Sequence, residues 1–208
     1  MPLEDEQLQS ETIGGITIDT SKEYRFEIIK GRSGDEILAS INDERIEFLL
    51  KDNSNIHFRA DVFEDAGVRT AVFSIQTKDR GKYHPDFEAR KLFKFAIKHF
   101  EKRGRSVDQL KLDYYDISVY DADGNPSLPS DTYVQYTEAK AKLVAGYIEE
   151  GLTREAADVK AMEEAITRTK GWEFAIDCGF TKLTNIQEYY DEDYSQRYVV
   201  ATVERDDN

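Results

Sequence analysis

The sequence predicts an α+β fold, in which an antiparallel meander of strands is flanked by helices and a helical segment follows late in the chain. Three observations carry this. Short runs of alternating apolar and polar residues, each closed by a turn signal, fill residues 24–76. One strongly amphipathic helix follows, and a turn-rich stretch at Asp121–Ser130 (DADGNPSLPS) precedes two further helical stretches.

The first strand, Tyr24–Lys30, places Tyr24, Phe26 and Ile28 on one face at a period of two. Glu36–Ile41 and Arg45–Leu50 follow, separated by the turn-prone pair Asn42-Asp43. Ile56–Phe63 and Val68–Gln76 are joined through Glu64-Asp65-Ala66-Gly67, where Gly67 supplies the positive φ that a tight hairpin requires. A loop over Thr77–Pro85 leads into the amphipathic helix, expected from about Asp86 to Arg103. There Ala89, Leu92, Phe93, Ala96 and Phe100 form the apolar face, with Lys91, Lys94, Lys98 and Lys102 opposite. Asp86 and Glu88 fall in its expected first turn and Lys102, Arg103 and Gly104 at its end, as the helix dipole favours. Leu110–Val119 reads as another strand. After the linker, helices are expected over about Thr132–Glu149 and Arg154–Arg168, the second with Thr153 as N-cap and Glu155 in its opening turn. A short helix, Lys170–Cys178, stops at Gly179. Phe180–Leu183 and Tyr198–Val203 close the fold, with the acidic Tyr189–Tyr194 (YYDEDY) expected as an exposed loop between them.

The 208 residues suit one generous domain, or one domain carrying an insertion. Hydrophobic residues make up 39% of the chain, and 12 Tyr with 11 Phe add large buried areas to the core. No apolar run approaches the roughly 20 residues of a membrane span. The first residues, MPLEDEQLQSET, are acidic where a signal peptide is basic and then apolar, so the expected location is the cytoplasm. A single cysteine, Cys178, excludes an internal disulfide framework and any multi-cysteine metal site.

Net charge is −14, but its distribution is uneven. Lys78–Arg105 holds ten basic and four acidic residues, and the remainder has 18 basic against 38 acidic, a net of −20. A local basic segment suits recognition of a phosphorylated ligand. The acidic remainder repels a nucleic-acid backbone.

Motif evidence removes several enzyme classes. P-loop, G-x-S-x-G and G-x-G-x-x-G patterns are missing. Asp121-Ala-Asp123-Gly-Asn125 begins like a calcium loop, but Pro126 and Thr132 stand at the positions needing Gly and a bidentate Glu, so it reads as a turn. His57, His84 and His99 have no metal-ligand spacing, and no metal site is expected.

The order of these elements resembles the GNAT (Gcn5-related N-acetyltransferase) superfamily. An antiparallel meander, a strand, a basic loop and a long amphipathic helix precede another strand. A short helix then ends in Cys178-Gly179-Phe180, before a terminal strand. Trp172–Phe180 (WEFAIDCGF) is similar to the family's late signature, an aromatic-containing helix ending in Gly-Phe. The cofactor motif is degenerate. In the nearest register, His84-Pro85-Asp86-Phe87-Glu88-Ala89, Phe87 replaces the first Gly of the family's pair and Ala89 fits the second. Ala175 stands at the position of the family's frequent general-acid tyrosine.

The resemblance implies a mixed, mostly antiparallel central sheet flanked by helices. It implies a flexible acidic N-terminus over residues 1–20 and one GNAT-like domain over 21–205, with a helical insertion at about 121–169. The implied activity is transfer of an acyl group from acetyl-CoA or another acyl-CoA to an amine on a small molecule or a protein. A base accepts the amine proton and backbone N–H groups polarise the thioester carbonyl. Ser74, Gln76, Arg80, Gly81, Lys82, Arg90 and Lys91 are the candidate cofactor residues, with Glu64 as base and Tyr114 as acid. A second reading keeps the fold without the chemistry. The acidic chain then binds or inhibits a basic protein partner, with Tyr189–Tyr194 at the interface.

Overall fold

The computed structural model of the chain describes residues 10–79, 82–102, 106–115, 119–120, 126–128, 130–192 and 196–206. Its strands in chain order are β1 (Ser10–Ile13), β2 (Ile16–Asp19), β3 (Tyr24–Lys30), β4 (Glu36–Ile41), β5 (Arg45–Leu50), β6 (His57–Asp65), β7 (Val68–Gln76), β8 (Lys78–Asp79), β9 (Lys82–Tyr83), β10 (Gln109–Tyr115), β11 (Val119–Tyr120), β12 (Pro126–Leu128), β13 (Phe180–Asp191) and β14 (Gln196–Arg205). The helices are α1 (Ala89–Lys102), α2 (Asp131–Glu149), α3 (Arg154–Ile166) and α4 (Lys170–Asp177).

Eight strands form one sheet in the order β13-β14-β10-β7-β6-β5-β4-β3. It is mostly antiparallel, as the meander predicts, and β7 and β10 run parallel over Thr70↔Gln109 to Val72↔Lys111. The fold is therefore α+β. The chain groups into two compact units, residues 1–61 with 74–105, and residues 62–73 with 106–208. Among the described residues no helix is long and apolar enough to cross a membrane.

In the first unit, strand alternation builds the core. The registers Ala39↔Phe48, Phe48↔Phe58, Ile41↔Ile46 and Ile46↔Ala60 stack these buried side chains on one face. Leu92, Phe93, Ala96 and Phe100 of α1 are buried with them. Residues 10–19, within the stretch expected to be a flexible acidic N-terminus, form the β1–β2 hairpin, because Ile13, Ile16 and Ile18 have apolar area to bury. β3 departs from simple alternation. A register shift lies between Tyr24 and Glu27, and Phe26 takes φ 55° and is 64% exposed, so Phe26 does not share the buried face of Tyr24.

In the second unit Leu110, Leu112 and Tyr114 lie opposite Val203, Ala201 and Val199, and all six are buried. Ser130, Thr153 and Thr169 cap α2, α3 and α4, each accepting a backbone N–H in the first turn. α2 and α3 pack through Tyr147, Ala157 and Ala161, and small alanines let the helices approach. Gly179 ends the helical run with φ 85°. The expected strand from Leu110 to Val119 ends as β10 at Tyr115, and Val119–Tyr120 pairs separately with β12.

Candidate functional site

The segment that leads into α1 decides what a phosphorylated cofactor would meet. α1 starts at Ala89 rather than Asp86, because Asp86 and Phe87 are drawn into the interior, 0% and 2% exposed. The Asp86 carboxylate accepts the Ser33 N–H at 3.2 Å and the Ser33 hydroxyl. Its backbone carbonyl accepts the Gly15 N–H at 3.3 Å. Gly15 and Gly31 flank the carboxylate so closely that a Cβ on either would collide with it. These two glycines are thus explained by Asp86 and not by turn geometry.

His84 completes the cluster. The Asp86 N–H donates to His84 Nδ1 at 3.3 Å, so the proton of the neutral ring belongs on Nε2, 3.2 Å from Asp35 Oδ2. The Ser33 hydroxyl, first of all, holds the Asp35 carboxyl below the usual range. Donor atoms of Asp35, His84 and Asp86 lie within 4.8 Å of one another. The set does not fit a metal ion, because a ring with Nδ1 accepting and Nε2 protonated offers no free lone pair, and Ser33 occupies the Asp86 oxygens.

A coenzyme A pyrophosphate needs approachable backbone N–H groups and excess positive charge. Here the pre-helix segment offers a buried carboxylate and a buried phenylalanine, and Lys91 is held by Glu88 at 2.8 Å. At residues 86–87 the side chains present do not fit the group.

The other candidate cofactor residues have different surroundings. Ser74 shares a 2.9 Å hydrogen bond with His57 Nε2, and Gln76 donates to the Lys78 carbonyl at 2.8 Å. Burial holds the His57 imidazole below its ordinary value. Lys82 and Arg90 are exposed. Arg80 and Gly81 lie outside the described residues. Glu64 is exposed near the β6–β7 turn. Tyr114 is 2% exposed, and its hydroxyl lies 3.0 Å from Thr169 Oγ1. Thr169 Oγ1 itself donates to the Ile166 carbonyl, so the Tyr114 hydroxyl is the donor. Burial holds the Tyr114 phenol well above its ordinary value, a neutral structural donor against α4.

Sequence reasoning missed a cleft of about 660 Å³ in the second unit, between α2, α3 and the β13–β14 hairpin. At its base Lys140 Nζ lies 2.9 Å from Glu188 Oε1 and 3.0 Å from Asp158 Oδ2, and the buried Tyr136 hydroxyl donates to Glu188 at 2.6 Å. Burial alone pulls the Lys140 ammonium down, but the hydrogen bonds it donates to Glu188 and Asp158 outweigh it and the net shift is upward. Burial first, and then Glu188, holds the Tyr136 phenol far above its usual value. Both shifts run away from neutral pH, and the ion pairs fix the Lys140 ammonium between two carboxylates. Tyr133, Tyr189, Tyr190 and Tyr198 line the walls with Arg154 and Arg197. The signal in the sequence was the spacing of Tyr136 and Lys140, one helical turn apart beneath a tyrosine-rich strand.

The Tyr189–Tyr194 segment is not wholly a loop. β13 continues to Asp191, because Tyr189 pairs with Tyr198 and their rings stack at 4.9 Å. Comparison with known proteins gives no match: no family model, no curated protein and no solved structure matches this chain.

Proposed function

We propose that this chain is a non-catalytic binding protein on a GNAT-like sheet, and that it engages a basic protein partner. One observation supports the reading: the segment before α1, which the resemblance assigns to the cofactor anion, buries the chain's own Asp86 carboxylate. The element order, with α1 crossing between the parallel strands β7 and β10, supports the GNAT-like description of the sheet. The net charge of −14 supports a basic partner, since opposite charge accelerates encounter and excludes acidic competitors.

Calorimetric titration with acetyl-CoA and with coenzyme A, at low and moderate salt, tests the first half. The expected result is no binding up to about 1 mM ligand. Association with poly-L-lysine that weakens steeply with salt is the expected result for the second half.

A second reading, acyl-CoA-dependent N-acyl transfer to an amine, draws on the same β7–α1–β10 arrangement beside the basic segment. Micromolar acetyl-CoA binding that Lys82→Ala or Arg90→Ala weakens would establish that reading and overturn the first.

A further inference from the structure

The second unit's sheet ends at β13, and among the described residues no strand pairs with its outer side. Natural edge strands are blunted by bulges, lysines or prolines that discourage further pairing. β13 is protected in this way over only half its length. Both register shifts lie between Phe180 and Asn185, where Lys182 also stands. From Ile186 to Asp191 the partners run one-to-one, Ile186↔Ala201 through Asp191↔Gln196, and the sequence IQEYYD has no Lys, Arg or Pro. This half is exposed apart from Ile186 and Asp191, which are half-buried.

A tyrosine row leads across the sheet to that edge. Tyr115 of β10 is in register with Tyr198 of β14, and Tyr198 with Tyr189 of β13. Ring centroids are 5.7 Å apart in the first pair and 4.9 Å in the second, where the planes are within 16°. Tyr198 therefore covers one face of the Tyr189 ring. Tyr189 is 40% exposed, and among the described residues no other ring stacks on it.

We propose, on the basis of the binding reading above, that an extended segment of the basic partner adds as a strand along Ile186–Asp191, with arginine or lysine side chains at alternate positions. Backbone N–H and C=O groups of the open edge supply the pairing, and alternation supplies selectivity. On one parity the incoming side chains meet Gln187, Tyr189 and Asp191, where a guanidinium extends the stacked row. On the other parity they meet Glu188 and Tyr190. There Glu188 is already paired with Lys140, and Arg154 and Arg197 have no carboxylate partner among the described residues. That parity favours neutral or acidic residues. A second copy of this chain is a poorer occupant, because self-pairing sets Glu188 and Asp191 of one edge against those of the other.

The test uses the full chain and a fluorescein-labelled peptide of about eight residues with Arg and Thr alternating, a typical strand length. Anisotropy is read at an ionic strength of about 0.15 M, with amide hydrogen exchange over β13 read in parallel. The expected results are protection of residues 186–191 and a Kd of order 10–100 μM. Binding should weaken at least about tenfold when a central Thr becomes Pro, and several-fold when the same arginines are made contiguous. Tyr189→Ala should weaken it about three- to fivefold. Equal binding of the proline peptide, equal binding of a Glu-Thr peptide, or no protection at 186–191 overturns the inference. If poly-L-lysine binds the chain without protecting 186–191, the edge is not the site, and the general binding reading stands apart from it. If neither probe binds, both fail.

Discussion

Gly31→Ala is the sharpest test of how the segment before α1 is held. A Cβ at Gly31 would lie 2.6 Å from Asp86 Cγ, against about 3.5–4.0 Å for ordinary carbon contact. The carboxylate must therefore retreat by about 1 Å, which breaks its hydrogen bonds to the Ser33 N–H and hydroxyl. Gly31 does not have a positive φ, so backbone strain adds nothing. Overpacking of this kind costs about 1–3 kcal/mol. Loss of bonds to a charged acceptor adds about 1–2 kcal/mol, reduced because Ser33 is exposed and regains water. The sum is roughly 2–4 kcal/mol, or a fall of about 1–2 M in the urea midpoint for an m-value near 2 kcal/mol/M. Unfolding should be followed by circular dichroism, because the sole tryptophan, Trp172, lies in the other unit. Asp86→Ala added to Gly31→Ala should be less destabilising than the two single effects summed, since the methyl then has room. A Gly31→Ala midpoint within about 0.2 M of the parent, or strict additivity in the double variant, would refute the reasoning.

Three further expectations follow from the second unit. Tyr114→Phe should cost about 1 kcal/mol in urea unfolding, because Thr169 Oγ1 loses its donor but keeps its bond to the Ile166 carbonyl. Asp113 has one buried oxygen without a hydrogen-bond partner, and burial raises its carboxyl above the ordinary value of 3.8. The folded state then binds more protons than the unfolded state just above that value, so ionising Asp113 weakens the fold. Asp113→Asn should stabilise by on the order of 1 kcal/mol at pH 7, with the advantage fading as pH falls toward 3.8 and gone below it, in urea midpoints measured across pH. Lys140→Met leaves Glu188 and Asp158 without their shared cation and should cost about 1–3 kcal/mol at pH 7. An unchanged thermal midpoint at neutral pH would count against that network.

Local patterns were legible where they did not depend on a distant partner. The α+β class, the run of meander strands, the apolar face of α1, the Thr153 cap and the positive φ of Gly67 all follow from period, capping chemistry or glycine's freedom, properties of a few adjacent residues. The Asp86 cluster was not legible. Its meaning depends on Ser33, 53 residues away, and on two glycines whose lack of a side chain matters only once Asp86 is beside them. Nor did the sequence show where β13 ends. Tyr189-Tyr190-Asp191 carries turn-like acidity, yet pairing with β14 and ring stacking on Tyr198 hold it extended. The same holds for the cleft at Lys140, where Tyr136 and Lys140 of α2 meet Asp158 of α3 and Glu188 of β13. Sequence alone determined the meander strands, the existence of the helices and the uneven charge, because these are set by neighbours along the chain. Tertiary structure alone decided that the pre-helix segment is closed by a carboxylate and that a tyrosine row reaches an open edge, because each requires residues brought together across strands.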